Sequence, residues 1–458
     1  MDRDQFKFLD EWLTMPNRKP LIVRGARQVG KSTLVRLFSE RCGCPLAEVN
    51  LERHLDLGSA FDRNDPAYIL NVLEALPGIG SIGADRLLFL DEIQSVPEVI
   101  PALRYFYEEV PEIPLLAAGS LLDFALADHQ SSMPVGRIAT LHMGPMTFTE
   151  YLDAVDSAGL ARAIRTFEIE RGLDIAIHNR LMAALRTYLF IGGMPEAIQV
   201  FARSGRLREI SEVHRAIIET YRDDFSKYVG SQGLPGMVQI FNLAARNVGR
   251  KVKYAQFSRE DKALDVKTRI DLLCMARVLS KVVRSYCNGL PLQAEADPRA
   301  YKLLFMDVGL MNAVCGLSWS AIERINESGL VNEGTMAEQF IGQHLQTLLA
   351  RSANRELSYW LREGRSASAE VDYVVALNGR VVPIEVKAGA SGSLKSLHQF
   401  VAEKSVPLAV RFDATPPSVQ EIRTRVQRGD TQVEVDYSLI SLPLYLVERL
   451  PAIVASVD

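Results

Sequence analysis

A chain of 458 residues, 48% apolar and 24% charged, has the make-up of a globular protein with room for roughly three domains of about 150 residues each. A net charge of −4 excludes a uniformly polybasic nucleic-acid binder, so any nucleic-acid surface must be local. No apolar run reaches the ~18–20 residues of a membrane span, and the charged start MDRDQFKFLDEW lacks the apolar core of a signal peptide. These features predict a cytoplasmic protein with no membrane partner. The five cysteines (Cys42, Cys44, Cys274, Cys287, Cys315) are scattered as in a reducing compartment, and the seven histidines do not cluster, so no zinc site is expected.

In chain order, the first informative stretch is Leu21–Leu34, LIVRGARQVGKSTL. A short apolar strand runs into a loop with glycine at both ends, and Lys31-Ser32-Thr33 opens a helix in which Leu34, Val35 and Phe38 recur at helical spacing. Gly25 to Ser32 fits G-x-x-x-x-G-K-[ST], the phosphate-binding P-loop. Glycines let the backbone wrap phosphates with its N–H groups, and the helix points its positive end at the same anion. The residues expected to hold ATP are therefore Gly25, Ala26, Arg27, Gln28, Val29, Gly30, Lys31, Ser32 and Thr33, with Ser32 offering its hydroxyl to Mg²⁺.

Leu46–Asn50 reads as a second strand and Pro66–Leu76 as a Pro-started helix. Next, Arg86-Leu-Leu-Phe-Leu-Asp91-Glu92 resembles a Walker B strand, in which Asp91 would serve Mg²⁺ and Glu92 would orient the attacking water. Pro97–Val110 is expected as a helix and Ile113–Gly119 as a strand ending in Ser120. Where an extra strand lies between the P-loop and Walker B strands, this position carries a γ-phosphate sensor. Ser120 is the candidate, and a helix N-cap before Leu121–Ala127 is its other reading. A last strand, Ile138–Met143, follows Arg137. That arginine is either a charge stabiliser donated to a neighbouring subunit, which would require a homo-oligomer, or a surface residue paired with an acid. Alternating strands and helices predict a parallel sheet with its ligand at the carboxyl ends of the strands.

The phrases LLFLDEIQ, AAGSLLDF, PVGRIATLHMGPMTFTEYL, LFIGGMPEAI, YRDDFSKY and KLLFMDVGL resemble a prokaryotic AAA+-related ATPase family over nearly the full length. The resemblance implies an α/β architecture. A P-loop, AAA+-type domain would occupy 1–155 and a helical linker or lid region 156–235. A winged-helix-like domain over 236–325 and a C-terminal domain similar to the PD-(D/E)XK nucleases over 330–458 would follow.

In the middle, Leu181, Leu185, Tyr188 and Leu189 recur at helical spacing, Gly192-Gly193-Met194-Pro195 breaks the helices, and Ile217–Tyr228 is amphipathic and charged. That charged stretch either passes motion between the halves or is a solvated face. Met237–Asn247, Tyr254–Asp261 and Val266–Leu279 suggest the three helices of a winged helix, with a hairpin after them that returns at Tyr301–Phe305. Lys267, Arg269, Arg277, Lys281 and Arg284 could meet DNA, although Asp261, Asp265 and Asp271 dilute their charge and such folds also serve as protein adaptors.

Residues 370–387, EVDYVVALNGRVVPIEVK, carry Asn378-Gly379 between apolar runs, a strong signal for a two-residue hairpin loop. With that loop Asp372 lies opposite Glu385 and Glu370 opposite Lys387, all on one face. Like charges facing each other in a sheet are destabilising, which a divalent cation between Asp372 and Glu385 would relieve. Lys387 would then steady a water nucleophile or a developing phosphate charge. This is the D-x(n)-E-x-K arrangement of PD-(D/E)XK nucleases, and Glu338 in Met336–Leu349 fits their upstream helical glutamate. Glu338, Asp372 and Glu385 are thus expected to hold Mg²⁺ or Mn²⁺, and Lys395 to touch a nucleic-acid backbone. The other reading is a solvent face with a Glu370–Lys387 salt bridge. Together these features predict an ATP-hydrolysing protein coupled to a nuclease-like domain and acting on DNA; the alternative is a switch whose C-terminal half is an inactive protein- or DNA-binding module.

Overall fold

The strand Leu87–Asp91 (β3) is apolar up to its last residue and fully buried, as is Leu115–Gly119 (β4). Strands buried on both faces need helices on both sides, the signature of a parallel sheet. With β1 (Leu21–Arg24), β2 (Leu46–Asn50) and β5 (Ala139–His142) they form such a sheet in the order β2-β3-β4-β1-β5, every pair parallel. Strand β4 lies between β1 and β3, the place expected of an extra strand. The computed structural model describes residues 2–120, 122, 136–317, 334–350, 356–362, 369–387, 394–428 and 431–457. Apart from Leu122, the helix expected over Leu121–Ala127 lies outside the described residues.

These strands belong to one compact unit, Met1–Gly144 with Met275–Val278. Helices Gln5–Leu13, Lys31–Cys42, Pro66–Glu74 and Val99–Glu109 accompany the sheet. Asp65 caps the third of them by accepting from Tyr68 N at 3.0 Å, with Pro66 at the first helical position. Ile22, Leu88, Leu90, Ala117, Leu103 and Phe106 share one core, and each large side chain buried there contributes about 1.5–3 kcal/mol.

The second unit comprises Pro145–Cys274 and Leu279–Asp458. Helices Phe148–Ala154, Ala158–Arg165, Ile175–Ile191, Pro195–Ser204 and Leu207–Arg246 come first. Within the last, the stretches expected as Ile217–Tyr228 and Met237–Asn247 form one element, broken at Gly230, where φ is 65° and ψ 177°. Helix Ala263–Met275 precedes β6 (Leu279–Ser285) and β7 (Ala296–Phe305). Six more strands and the helices Gly334–Leu349 and Lys395–Lys404 complete the architecture: β8 (Leu357–Arg362), β9 (Ala369–Leu377), β10 (Arg380–Val386), β11 (Leu408–Asp413), β12 (Ser418–Arg428) and β13 (Thr431–Pro443) make up the sheet with β6 and β7. The eight strands run in the order β12-β13-β11-β10-β9-β8-β6-β7.

The hairpin expected as a wing is therefore an edge of the C-terminal sheet, with β6 parallel to β8. Its return strand explains why. Residues 300–305 are buried on both faces, which a solvated wing cannot provide.

Three of the sequence phrases interlock in this unit. Met146 N donates to Gly193 O at 2.6 Å, and Tyr188 Oη donates to Met146 O at 2.6 Å. A Cβ on Gly193 would sit 2.3 Å from Met146 O, so only glycine fits. Asp307 accepts from Gly193 N at 2.6 Å and caps helix Val308–Val314 by accepting from Leu310 N at 3.0 Å. Gln343 accepts from Val308 N and donates to Tyr188 Oη. Rings of Phe148, Tyr151, Tyr188 and Phe340 pack edge-on or stacked beside His344.

Phe148 N donates to His344 Nε2 at 2.9 Å, so that nitrogen is unprotonated and Nδ1 donates to Phe340 O at 2.8 Å. Burial pushes the imidazole down to about 4, against the opposing hydrogen bond to Phe340. A histidine with a depressed pKa stabilises the fold fully above its unfolded value of about 6.5 and loses that contribution as pH falls. Between pH 6.5 and 5 His344 should cost the unit about 2 kcal/mol, at ~1.4 kcal/mol per unit. Urea unfolding of wild type and His344→Gln at pH 7.5 and pH 5 checks this: the variant has the shallower pH dependence, and equal slopes would refute the assignment. His214, also pushed down to about 4 by burial, adds to the slope in both proteins.

Candidate functional site

The loop between β1 and helix Lys31–Cys42 is shaped by its glycines. A Cβ on Gly25 would lie 2.2 Å from Met143 O, and Gly30 takes φ 92° at the helix start. Gln28 also adopts a left-handed φ of 61°. Lys31 is buried and its Nζ donates to Gly25 O at 3.0 Å and Ala26 O at 2.8 Å, so the ammonium lies curled inside the loop. Burial lowers its pKa to about 8, opposed by the charges of Glu92 and Asp91. Ser32 Oγ donates to Asp91 Oδ2 at 2.7 Å, which brings together the two oxygens expected to serve Mg²⁺. Burial raises the Asp91 carboxyl, and the Ser32 hydrogen bond pulls the other way. Arg27 is half-buried and Thr33 exposed at the same loop, and Val29 is fully buried.

Glu92 follows with φ 56°, a left-handed backbone that turns its side chain out of the strand, where Gln94 Nε2 donates to Glu92 Oε2 at 2.5 Å. Ser120, at the end of β4, is buried, and its Oγ has no hydrogen-bond partner among the described residues. Gly25, Asp91, Glu92 and Ser120 thus all fall at the carboxyl edge of one parallel sheet, where Arg24 of β1 is level with Gly119 of β4. Arg137 does not join them. It precedes β5 at the opposite edge and donates to Glu108 Oε1 at 2.8 Å, an acid that also takes Arg104.

Two supporting residues escaped the sequence reading. Arg3 donates to Val29 O at 3.4 Å and Gly144 O at 2.7 Å, tying the loop to the chain after β5. Gln94 holds Glu92, and a Cβ on Gly119 would lie 2.6 Å from its Oε1. The loop curvature, the orphaned Ser120 hydroxyl and the Ser32–Asp91 oxygen pair fit ATP with Mg²⁺.

The C-terminal carboxylates meet in the second unit. Around the Asn378-Gly379 loop, with φ 50° and 74°, the register runs from Arg380↔Leu377 to Ile384↔Tyr373, as expected. Asp372 Oδ2 accepts from Val386 N at 2.8 Å. On the other side the β8–β9 ladder shifts: Ser358 pairs Val374 but Trp360 pairs Val371, so two steps along β8 meet three along β9. Lys387 contacts Glu385 rather than Glu370, which contradicts the expected Glu370–Lys387 bridge.

Glu370 goes to Lys302 of β7, which sequence reading missed. Lys302 Nζ lies 2.5 Å from Glu370 Oε1, 3.0 Å from Glu338 Oε1 and 3.8 Å from Asp372 Oδ1, and the residue is 1% exposed. Burial favours its neutral form, but the charges of Glu338, Asp372 and Glu370 outweigh that and hold it protonated. Burial pushes Glu338 up to about 8 and Glu385 up to about 7. Among the described residues no group of three or more His, Cys, Asp or Glu is arranged to hold a metal ion. Of the three carboxylates expected to share a divalent ion, Glu338 and Asp372 thus lie on Lys302, whereas Glu385 lies on Lys387 and its buried Oε2 has no hydrogen-bond partner among the described residues.

Of the basic residues expected to meet DNA, Arg269 pairs with Asp261 at 2.6 Å, Lys281 with Asp271 at 2.5 Å, and Arg284 donates to Leu361 O. Lys267, Arg277 and Lys395 are exposed.

Residues 17–152 match the family model of an AAA domain. Residues 182–321 and 333–445 match two domains of unknown function, DUF8612 and DUF4143. Two uncharacterized proteins, from Mycobacterium tuberculosis (strain ATCC 25618 / H37Rv) and Mycobacterium bovis (strain ATCC BAA-935 / AF2122/97), are each 24% identical over 387 residues, 82% of this chain and 72% of theirs. Among solved structures, the Thermotoga maritima RuvB Holliday junction branch migration motor is 15% identical, over 62% of this chain and 90% of that one, at a TM-score of 0.29. Drosophila ORC bound to DNA is 14% identical, over 68% and 94%, at a TM-score of 0.24. Residues 17–152 thus match an AAA domain in sequence, and the five-stranded parallel sheet they build, with its phosphate loop, has the P-loop NTPase fold.

Proposed function

We propose that the chain is an ATP-hydrolysing switch that couples its AAA-type domain to a C-terminal half of nuclease-like topology acting on DNA. The observation that carries this reading is the assembled phosphate loop, with Lys31 inside it and Ser32 on Asp91. In the second unit, helix Gly334–Leu349, the antiparallel run β8-β9-β10, helix Lys395–Lys404 and β11 parallel to β10 follow in an order that supports the nuclease-like resemblance.

In this reading the loop N–H groups and Lys31 bind the β- and γ-phosphates, and Ser32 and Asp91 hold Mg²⁺, which neutralises phosphate charge when bound. Lys31 leaves its two carbonyls for the phosphates. Glu92 releases Gln94 and orients the attacking water, and Ser120 donates to the γ-phosphate. Because Arg137 lies at the far edge of its own sheet, it reaches a nucleotide only on a neighbouring copy, so ATP-dependent self-association belongs to this proposal. Phe148–Ala154, which follows the first compact unit in sequence, hydrogen-bonds helix Gly334–Leu349 through His344, a route by which movement could reach Glu338. Metal-dependent cleavage by Glu338, Asp372, Glu385 and Lys387 is not favoured, because Lys302 already holds the first two of these carboxylates together with Glu370.

The test is ATP turnover with and without single-stranded or linear DNA. Severalfold stimulation, with retention of the protein on DNA at low salt, is expected. An unchanged rate and no retention would overturn the DNA assignment in favour of a scaffold switch with a protein partner.

A further inference from the structure

We propose that Lys302 is the resident cation of the C-terminal carboxylate cluster, filling the position among Glu338, Glu370 and Asp372 that a divalent ion would take, so that the native site binds neither Mg²⁺ nor Mn²⁺. The location rests on the nuclease-like reading of this half; the charge argument does not. The three carboxylates come from two elements, helix Gly334–Leu349 and β9, and converge on one nitrogen from a third, β7.

Lys302 has no way to step aside. It is buried, its Nζ stands 5.2 Å from the Tyr359 ring centroid, and its backbone bridges Lys251. Across the cluster the chain closes on Glu338, since a Cβ on Gly249 would sit 2.3 Å from Glu338 Oε2. Tyr373 Oη donates to Glu338 O at 2.9 Å and pins the same turn of helix. Mg²⁺ demands near-octahedral oxygens at about 2.0–2.1 Å and keeps several waters. One oxygen each of Glu338, Glu370 and Asp372 is already drawn onto the Lys302 ammonium, Glu385 lies on Lys387, and a second cation within a few ångströms would be repelled by both. The Asp372 oxygen that does not face Lys302 is taken by Val386 N.

Electron paramagnetic resonance of Mn²⁺ titrated into the nucleotide-free full-length chain counts bound ions. Wild type and Asp372→Asn should bind the same number, whereas loss of one ion in Asp372→Asn would overturn the proposal. Lys302→Met should gain one ion per chain over the wild type, and Lys302→Met/Asp372→Asn should lose it again. A Lys302→Met protein that keeps its far-ultraviolet circular dichroism and its ATP turnover yet gains no ion would also overturn it. Should that variant not fold, the comparison of wild type with Asp372→Asn still decides. ATP turnover and its response to DNA report separately on the proposed switch.

Discussion

Replacing Lys31 by Ala should all but abolish ATP turnover, lowering kcat by about a hundredfold to a thousandfold while the AAA-type domain stays folded. The magnitude follows from what the side chain does. A cation aimed at developing charge in a partly dehydrated site is worth about 3–4 kcal/mol of transition-state stabilisation. The fold should tolerate the change because the carbonyls of Gly25 and Ala26, which Lys31 now holds, border a loop whose course is set by Gly25, Gly30 and the Arg3 contacts. The lowered Lys31 pKa, about 8, adds a pH signature. Phosphate binds the charged form, so nucleotide affinity should weaken as pH rises through 8 in wild type and show no such step in Lys31→Ala. Steady-state phosphate release and calorimetric titration of ATP read both effects; normal turnover in the variant would falsify the site.

What could be read from the residues had local causes. The two-residue loop at Asn378-Gly379 sets the register of β9 on β10 by itself, and the observed pairs follow from it. The P-loop and the Asp91-Glu92 strand end are equally local, because each takes its form from the few residues that compose it. The misses were tertiary. Lys302 sits 36 residues before Glu338 in an apolar run, and its one sequence signal is a lysine inside YKLLF, in the part of β7 that is buried on both faces. The alternative reading that pairs Glu370 with Lys387 rests on simple alternation along both strands of the hairpin. The ladder shift between Ser358 and Trp360 breaks that alternation, and no residue type near Asp372 announces it. Likewise β6 and β7 read as a wing because β8, the strand that β6 pairs with, lies far along the chain. Arg137 kept two readings, and its contact with Glu108 is the surface pairing that one of them named.

Lys302→Met should be the most destabilising single change in the second unit, costing about 3–5 kcal/mol and lowering the melting temperature by about 10 °C. A methionine of similar length fills the space, so the loss is electrostatic. Removing one member of a buried ion cluster leaves the others as uncompensated charges, which costs more than the intact cluster ever contributes. Glu338 at 3.0 Å carries most of that penalty, and Glu370 at 2.5 Å, with its side chain 38% exposed, carries a share that solvent screens. A double-mutant cycle separates charge from packing. Adding Glu370→Gln to Lys302→Met deletes a carboxylate along with its cation and should recover about 1–3 kcal/mol, within the range measured for directly contacting residues. Glu370→Gln alone should cost much less than Lys302→Met, because the ammonium keeps Glu338 and Asp372 nearby. Denaturant unfolding at pH 8 of wild type, both single variants and the double variant gives the coupling directly. Additive costs within about 0.5 kcal/mol, or a Lys302→Met protein as stable as wild type, would mean that the ammonium does not hold these acids together.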